Sequence, residues 1–526
     1  MTNPHTPPEK NSVFHPFLFA LAPLFFLFAH NLSELSLLDW ASIPRLLLPS
    51  IVLVLCTAGF FTASRIFLKE SQKAGFLTTI IVALVFGYGH FYTLLVEQAG
   101  IQILFSIRNF SFGYNKLYIL IVGLIIPLSV YFLKVSSKRF DALTRFLNIV
   151  ALVLLVLSLG RIAVYEAQRM RRQYAQNSAV SSSQDPERFE RKPMENRPDI
   201  YYIILDAYGH QQTLRAEFGY DNSDFYDALR RKGFYVATES RSNYPYTVLS
   251  LASSLNFDYL HNLTNIAGTD STDETVAIDL IENNNILHFL QARGYTYIHF
   301  NTEYAPTARN RNADREIDCE RGMIQDRFLK MFLRTTIFDP FVRRLSGSKQ
   351  ERIHCQFSAL AALPEMEEPT FAFAHIIAPH EPYVFGAGGA AVDEAKQNFF
   401  QGVKRFEPEG RELYLQQLLY INTQIQDVID TILKNSTQEP IIILQADHGP
   451  RLPPWDGPQQ VWYRILNAYY VPGGVLSQLY SSISPVNSFR VLLNEYFQTS
   501  YPLLPDKSYY SDYYQTPYKF VEVMQH

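Results

Sequence analysis

Five apolar stretches without a charged residue lie near the N-terminus, at 14–33, 46–64, 74–96, 117–133 and 146–160. Each is close to the roughly 20 residues that a membrane-spanning helix needs, and the last two reach that length when their flanks are included. A buried core helix can imitate one such stretch, but five in succession are typical of a membrane domain. No small-residue cleavage site follows the first stretch, so it is not a signal peptide. We therefore predict a transmembrane domain of five helices over residues 1–165.

Lysine and arginine residues around these stretches predict the orientation, because cytoplasmic loops are enriched in positive charge. With the N-terminus in the cytoplasm, the two outer loops contain only three such residues. The cytoplasmic segments contain eight, namely Lys10, Arg65, Lys69, Lys73, Lys134, Lys138, Arg139 and Arg145. Five spans then place everything after residue 165 outside the cytoplasm. We expect a multi-pass protein of the cell (inner) membrane with a periplasmic or extracellular domain.

Residues 166–197 are rich in Arg, Gln, Ser and Glu and show no apolar period, so we predict a juxtamembrane linker. The net charge of -4 gives no sign of a nucleic-acid partner. Cys319 and Cys355 are the only cysteines in the polar half. A disulfide between them suits an oxidising compartment, and two free thiols are an almost equally good interpretation.

Strand and helix patterns alternate from residue 198 to the C-terminus. "DIYYIILDAYG" (199–209), "TFAFAHII" (370–377) and "PIIIL" (440–444) are apolar strand patterns, and helical patterns separate them. This alternation predicts an α/β domain over 198–526 with a mostly parallel sheet and helices on both faces. About 330 residues are enough to bury one such core.

Three of these strands end in side chains that bind metals or phosphates. Asp206 ends the first, His375 lies at the end of the second with His380 in the loop after it, and Asp447 and His448 follow the third. Taken singly, a strand-end Asp is usually a cap and a lone His is usually structural. Ligands of open α/β sheets collect at the carboxyl ends of the strands, where these residues come together. We therefore expect a shared site, and Asp and His suit a divalent cation.

The stretch "NYPYTVLSL" (243–251) adds a fourth element, because Thr247 opens an apolar helical run after a turn. A Thr in this position is most often a plain N-cap. It also stands where free N–H groups and the helix dipole favour an anion. A hydroxyl at such a place, bound to a metal, would be an activated nucleophile.

The Asp of "LDAYG", the Thr of "NYPYT", the His of "APHEPY" and the Asp-His of "ADHG", in that order, resemble the alkaline phosphatase superfamily. Together with the five-span anchor, they resemble more narrowly the lipoteichoic acid synthase and phosphoethanolamine transferase branch. The resemblance implies that Asp206, Thr247, Asp447 and His448 bind one divalent metal, Zn²⁺ or Mn²⁺. It implies that Thr247 is the nucleophile and that His380 binds the phosphoryl group or assists the leaving group. His375 is a weaker candidate for that last role.

Three departures from the family patterns bear on the activity. The transferases usually have Glu where this chain has Asp206, which phosphatases and sulfatases share. Sulfatases need Cys or Ser in a C/S-x-P-x-R context, and "TVLSL" (247–251) has neither, so we do not expect sulfatase activity. Two-metal members have another His well after the Asp-His pair, whereas the only later histidine here is His526. A single metal is therefore expected.

The resemblance implies a phosphotransferase that acts through a phospho-threonine. A phospholipid would donate a phosphoglycerol or phosphoethanolamine type of group, and an envelope glycan or glycolipid would accept it. A phosphodiesterase or phosphatase that transfers the group to water is the alternative among enzymes. A protein without activity that binds an envelope glycan is the alternative among other classes.

Overall fold

The computed structural model describes residues 12–32, 44–98, 103–107, 110–138, 140–183, 197–320, 322–324, 326–393, 396–397, 405–453, 457–473 and 478–524. The chain forms two compact units. The membrane unit comprises residues 1–184 and 322–346, and the α/β unit comprises residues 185–321 and 347–526.

Five helices of the membrane unit follow the five apolar stretches. They are α1 (His15–His30), α2 (Pro44–Leu68), α3 (Ser71–Tyr92), α4 (Tyr114–Val135) and α5 (Asp141–Ser183). A short antiparallel hairpin of β1 (Ile103–Ile107) and β2 (Phe110–Gly113) precedes α4. Among the described residues, α2 to α5 are long and apolar enough to cross a membrane, whereas α1 has only 16 residues. Four spans are thus supported, and a membrane span formed by α1 stays a prediction.

Large apolar side chains cover the outside of these helices. More than 40% of the side-chain surface is exposed at Leu55, Leu124, Leu128, Ile149 and Leu157. Burying them in hydrocarbon is favourable, and a helix satisfies its own backbone hydrogen bonds there. The last helix is longer than we predicted, because α5 continues through the first half of the expected linker to Ser183.

One sheet of seven strands forms the centre of the α/β unit. Its order is β4–β9–β8–β3–β7–β5–β6. The strands are β3 (Ile200–Leu205), β4 (Tyr235–Val236), β5 (Thr296–Phe300), β6 (Arg315–Ile317), β7 (Thr370–Ile376), β8 (Ile441–Ala446) and β9 (Asn467–Tyr470). β8, β3, β7, β5 and β6 run parallel, and β9 is antiparallel to both of its neighbours, β8 and β4. The prediction of a mostly parallel sheet is confirmed.

Helices cover both faces of this sheet, which explains why the central strands are apolar on both sides. Every residue of β3, β7 and β8 is buried. The helices before the membrane-unit insertion are α6 (Gln211–Phe218), α7 (Ser223–Arg231), α8 (Thr247–Asn256), α9 (His261–Ala267), α10 (Thr275–Glu282) and α11 (Asn285–Gln291). The later ones are α14 (Lys349–Ala362), α15 (Pro408–Asn435) and α16 (Pro485–Phe497), and a hairpin of β10 (Ser508–Tyr510) and β11 (Val521–Val523) follows.

Residues 322–346 group with the membrane unit, although the sequence analysis assigned them to the second domain. We call them the inserted segment; it contains α12 (Arg327–Arg334) and α13 (Asp339–Leu345). Phe328 and Phe332 of α12 are buried, and their rings pack against Phe28 and Phe86 at 5.3 and 5.6 Å between centroids. An amphipathic helix of this kind carries no sign in its own sequence of which unit its apolar face will contact.

A disulfide joins Cys319 to Cys355, with 5.7 Å between the Cα atoms. One cysteine precedes the inserted segment and the other lies in α14 after it, so the bond closes the base of the insertion. The sequence left a disulfide and two free thiols as alternatives, and the structure contains the disulfide.

We expect the double variant Cys319→Ser/Cys355→Ser to lose stability. A bridge across 36 residues restricts the unfolded chain, and its removal should lower the free energy of unfolding by about 4 kcal/mol. Thermal melting of the purified protein without reductant measures the loss. Cys56→Ser, at an exposed free cysteine, is the matched control. Equal melting temperatures for the double variant and the wild type would contradict the prediction.

Candidate active site

The ends of three adjacent parallel strands meet at one edge of the sheet. Leu205, the last residue of β3, lies opposite Ile376 of β7 and Ala446 of β8. The next residues of β3 and β8, Asp206 and Asp447, therefore leave the sheet side by side. Backbone hydrogen bonds fix this geometry, because Asp206 N donates to Ile376 O at 3.0 Å and His380 N donates to Asp206 O at 3.1 Å.

Three buried side chains converge at this edge. His448 Nε2 lies 3.3 Å from Asp447 Oδ2 and 3.9 Å from Asp206 Oδ1. One potential ligand atom of each residue lies within 4.8 Å of those of the other two. Asp206 is 4% exposed, and Asp447 and His448 are 0% and 1% exposed. Three of the four residues predicted to bind the metal are thus brought together out of reach of bulk solvent.

Hydrogen bonding in the cluster leaves two of its carboxylate oxygens without a hydrogen-bond partner among the described residues. Asp447 Oδ1 accepts from Ala207 N at 3.0 Å and from His448 N at 2.9 Å. His448 Nδ1–H donates to Gly449 O at 2.8 Å, so the lone pair of the neutral ring is on Nε2. Asp206 Oδ1 and Asp447 Oδ2 are buried and have no hydrogen-bond partner among the described residues. Because an unpaired buried carboxylate oxygen is costly, this arrangement fits a divalent cation bound by oxygen and imidazole.

Electrostatics in the site are consistent with that fit. Burial acts to raise the pKa of the Asp206 carboxyl, but His380, His375 and His448 outweigh it and hold that pKa below its usual value. Burial lowers the pKa of His448, against the opposing effect of the Asp447 and Asp206 carboxylates. Ionised carboxylates and a neutral imidazole are the forms that bind a metal.

Thr247 is the first residue of α8 and lies directly beside this cluster. Tyr246, not Thr247, occupies the N-cap position, and it makes no side-chain capping bond. The interpretation of Thr247 as a plain N-cap is therefore wrong. Its Oγ1 lies 3.2 Å from His448 Nε2, and Ser250 Oγ, one turn into α8, donates to Asp447 O at 2.6 Å. The N-terminus of α8, with its favourable dipole for anions, is thereby fixed against the end of β8.

The turn before α8 is held by Asn243. Its Nδ2 donates to Lys507 O at 2.8 Å and to Ser484 Oγ at 3.1 Å, and its Oδ1 accepts from Val486 N at 2.9 Å. These bonds tie the turn to the C-terminal part of the chain. They hold Thr247 in position without contacting the cluster.

His375 is placed differently from what we predicted for a residue that contacts substrate. It is completely buried, its Nδ1 is bonded to Thr307 Oγ1 at 2.9 Å, and its Nε2 lies 3.5 Å from Asp206 Oδ2. A side chain without exposed surface cannot reach a substrate in this conformation. Its position suits the orientation of the Asp206 carboxylate instead.

His380 lies beyond Asp206 and is partly exposed, at 25% of its side chain. Its Nδ1–H donates to Glu381 O at 2.8 Å, which leaves Nε2 available, and Glu381 Oε2 lies 3.4 Å from Nδ1. Arg405 forms a salt bridge with the same carboxylate. A carboxylate beside the ring stabilises the positive charge that arises when Nε2 takes up a proton.

Lys349, which no sequence motif indicated, supports the loop of His380. It opens α14 and is only 8% exposed. Its Nζ donates to His380 O at 2.8 Å and to Pro382 O at 3.1 Å. Burial lowers the pKa of Lys349 to about 8, although Glu303, Asp206 and Glu381 act to raise it. No local pattern marks such a residue, because its partners lie about 30 positions later in the chain.

Arg451 is a second residue that we did not assign to the site, although it follows the "ADHG" motif by only two positions. Its guanidinium lies over the ring of Tyr246 at 4.8 Å. Among the described residues it has no carboxylate within salt-bridge distance. With His380 and His448 it lines a pocket that also includes Phe218, Tyr383 and Phe406. An unpaired cation in such a position is available to an anionic ligand.

Residues 198–518, more than half of the chain, match the model of the sulfatase family. The chain belongs to the sulfatase family. The predicted resemblance to the alkaline phosphatase superfamily is confirmed by this match. His526, on which our single-metal prediction depends, lies outside the described residues. A search of the curated proteins found no match.

Several solved structures are similar to this sulfatase-family chain at low sequence identity. The periplasmic domain of EcEptC from Escherichia coli is 13% identical, with a TM-score of 0.39, and the match covers 58% of this chain and 84% of that one. The integral membrane protein lipooligosaccharide phosphoethanolamine transferase A from Neisseria meningitidis is 14% identical, with a TM-score of 0.34 and coverage of 88% of both chains. The phosphonate monoester hydrolase of Agrobacterium radiobacter is 11% identical, with a TM-score of 0.39 and coverage of 60% and 80%. The family assignment rests on the domain match, not on these low scores.

We expect the stability difference between wild type and Lys349→Met to depend on pH. The Lys349 ammonium titrates at about pH 8 in the folded protein and near 10.4 in an unfolded chain. Between these values the unfolded state binds more protons, so this group makes the free energy of unfolding rise with pH, by up to about 1.4 kcal/mol per unit. The melting temperature of the wild type should therefore rise relative to that of the variant as pH rises from 8 to 10. A difference that stays constant with pH would contradict the desolvation of Lys349.

Proposed function

We propose that this protein is a membrane-anchored, metal-dependent phosphotransferase. It moves a phospho-alcohol group, of the phosphoglycerol or phosphoethanolamine type, from a phospholipid donor to an envelope glycan or glycolipid. The observation that carries the proposal is the position of Thr247, a hydroxyl at a helix N-terminus and 3.2 Å from a buried Asp-Asp-His cluster. No other described threonine or serine combines a helix N-terminus with that cluster.

Thr247 is the nucleophile in this proposal. Its Oγ1 attacks the phosphorus of the donor phosphodiester, the bond from phosphorus to the lipid oxygen breaks, and a phospho-threonine forms. Asp206, Asp447, His448 and Thr247 would hold a divalent cation, which would supply a Lewis acid that favours release of the Thr247 hydroxyl proton to solvent before attack and neutralises phosphoryl charge. The N–H groups in the first turn of α8 bind the phosphoryl oxygens, since they point out of the N-terminal end of the helix, where Thr247 lies.

His380 and Arg451 complete the site on the exposed side. His380 Nε2 protonates the departing lipid oxygen and then takes the proton from the hydroxyl of the acceptor, while Glu381 stabilises the charged ring. Arg451 holds a non-bridging oxygen of the phosphodiester, because its charge has no carboxylate partner among the described residues. The acceptor hydroxyl attacks the phospho-threonine from the same side and restores Thr247.

Hydrolysis is the second candidate, in which water replaces the acceptor hydroxyl. The Asp at position 206, where the transferases usually have Glu, favours it. A role as a binding protein without activity is opposed by the geometry of the cluster, since two buried carboxylate oxygens without partners have no purpose in a purely structural site.

Trapping of the covalent adduct tests the proposal. Incubated with a phospholipid mixture and quenched in acid, the wild type should gain the mass of one phospho-alcohol group on the peptide that contains Thr247. Thr247→Ala should show no adduct and lose activity by at least about a thousandfold. Thr247→Ser keeps a hydroxyl and should retain part of the adduct formation and part of the activity. An adduct on another residue would refute the assignment, and donor turnover that no envelope acceptor accelerates would favour the hydrolase.

We expect about one tightly bound divalent ion per chain, by elemental analysis of the purified protein. Asp447→Asn should lose most of it, because one carboxylate ligand becomes a neutral amide. His380→Ala and Arg451→Gln should keep the ion and lose activity, since neither side chain belongs to the cluster. Loss of the metal from His380→Ala would instead make His380 a ligand. Two stoichiometric ions in the wild type would contradict the single-metal site and favour a phosphatase-like hydrolase.

A further inference from the structure

The inserted segment contacts the membrane unit at one end of its helix bundle. Phe328 packs against Phe28, in the last turn of α1. Asp326 lies 3.8 Å from Arg45, at the start of α2. If α1 spans or enters the bilayer, the end of α1 and the start of α2 lie at the same membrane surface. Both contacts therefore place the inserted segment at that surface.

Contacts with α3 place the segment on that same side. Ile337 N donates to Val85 O at 3.0 Å, and Gly89 N donates to Thr335 O at 3.1 Å. The Arg343 guanidinium lies 5.8 Å from the ring of Tyr92, the last residue of α3. Since α3 starts at Ser71 and rises about 1.5 Å per residue, Val85 is about 21 Å from its other end. The inserted segment therefore lies beside the outer part of α3, on the predicted extracytoplasmic side.

The approach to α3 depends on a glycine. A Cβ atom added at Gly89 would lie 2.9 Å from Thr335 O, a distance that side-chain carbons do not normally reach. At Gly123 of α4, by contrast, an added Cβ would meet no atom within 4 Å. Gly89 therefore has the inserted segment against it, whereas Gly123 faces open space.

α13 presents an apolar edge that nothing in the described structure covers. Phe338, Phe341 and Leu345 are 51%, 64% and 42% exposed, and their spacing of three and four residues places them along one side of the helix. Val342 and Asp339, on the adjoining side of the helix, are buried, and a 2.8 Å salt bridge joins Asp339 to Arg343. The exposed side is thus not a packing defect of a loose helix, because the adjoining side is fixed.

The net positive charge of the inserted segment and the apolar surface of the neighbouring spans indicate what covers this edge. The inserted segment has five basic and two acidic residues, and Arg344 is exposed next to Leu345. Close by in the bundle, Tyr114 at the start of α4 packs on Tyr92 at 5.3 Å, and Ile119 and Leu120 after it are 62% and 51% exposed. The apolar edge of α13 therefore continues the surface that the spans present to lipid.

We propose that the inserted segment is an interfacial anchor in the outer leaflet of the membrane. α13 lies along the membrane surface with Phe338, Phe341 and Leu345 among the first carbons of the acyl chains, and Arg344 binds headgroup phosphates. Interfacial helices place their apolar side about 5–10 Å into the boundary between headgroups and acyl chains. The α/β unit is then attached to the membrane at two points of the chain, by α5 and by the inserted segment. This inference does not depend on the proposed enzymatic activity.

Depth-dependent fluorescence quenching tests the anchor in the full-length protein. In a Cys56→Ala background, Phe341→Cys is labelled with bimane and the protein is placed in nanodiscs. Some of the lipids carry bromine, either near the headgroup end of the acyl chain or near its methyl end. With lipids brominated near the headgroup end, we expect quenching at position 341 to be at least about fivefold stronger than at position 514. At position 341, these lipids should also quench more than lipids brominated near the methyl end. The reference at position 514, Tyr514→Cys, is 74% exposed in the α/β unit.

Three further variants make the result decisive. Leu120→Cys in α4 reports quenching at a lipid-facing position and shows that the nanodiscs work. Gly89→Leu should push the segment away from α3 and reduce quenching at position 341, whereas Gly123→Leu should leave it unchanged. Quenching at position 341 no greater than at 514, while position 120 is quenched, would overturn the proposal and indicate that the edge binds a protein partner or remains in water.

Discussion

The parallel register of β8, β3 and β7 is the constraint on which the site depends. It brings Asp206 and Asp447 out of the sheet at the same level, so that their carboxylates share a volume with the ring of His448. Shifting a strand by one residue would exchange its two faces and turn the carboxylate away. The hydrogen bond from Ser250 to Asp447 then fixes α8 against this edge, so the position of Thr247 also depends on the register. A packed hydrophobic sheet thus determines the geometry of a polar cluster.

Several residues around the cluster have environments that stability alone would not select. Lys349 is buried with a lowered pKa, Glu381 is shared between His380 and Arg405, and Arg451 has an aromatic ring as its neighbour but no carboxylate among the described residues. Buried ionic groups are often neutral or unfavourable for folding when compared with apolar replacements. Their concentration around one edge of the sheet is typical of a site adapted to reaction chemistry.

Much of the fold could be predicted because local patterns carry it. The apolar runs around β3, β7 and β8 and the helical patterns between them predicted a mostly parallel sheet, and short motifs at strand ends predicted that Asp206, Asp447 and His448 would meet. Contacts distant in sequence could not be predicted in this way. Thr307 beside His375 and Lys349 beneath the His380 loop are connected to the site only through tertiary structure. For the same reason the buried position of His375 could not be derived from its place at the end of a strand.

The inserted segment has a consequence for the way the chain is assembled. Phe28 is synthesised about 300 residues before Phe328, so the bundle cannot be completed until residues 185–321, less than half of the α/β unit, have been synthesised. Formation of the Cys319–Cys355 bond must also wait for α14, which follows the insertion in the chain. A soluble fragment that begins after α5 would retain the apolar faces of α12 and α13 without the helices that cover part of them. Such a fragment would therefore be prone to self-association, and an excised catalytic domain should be designed with residues 322–346 replaced by a short polar linker.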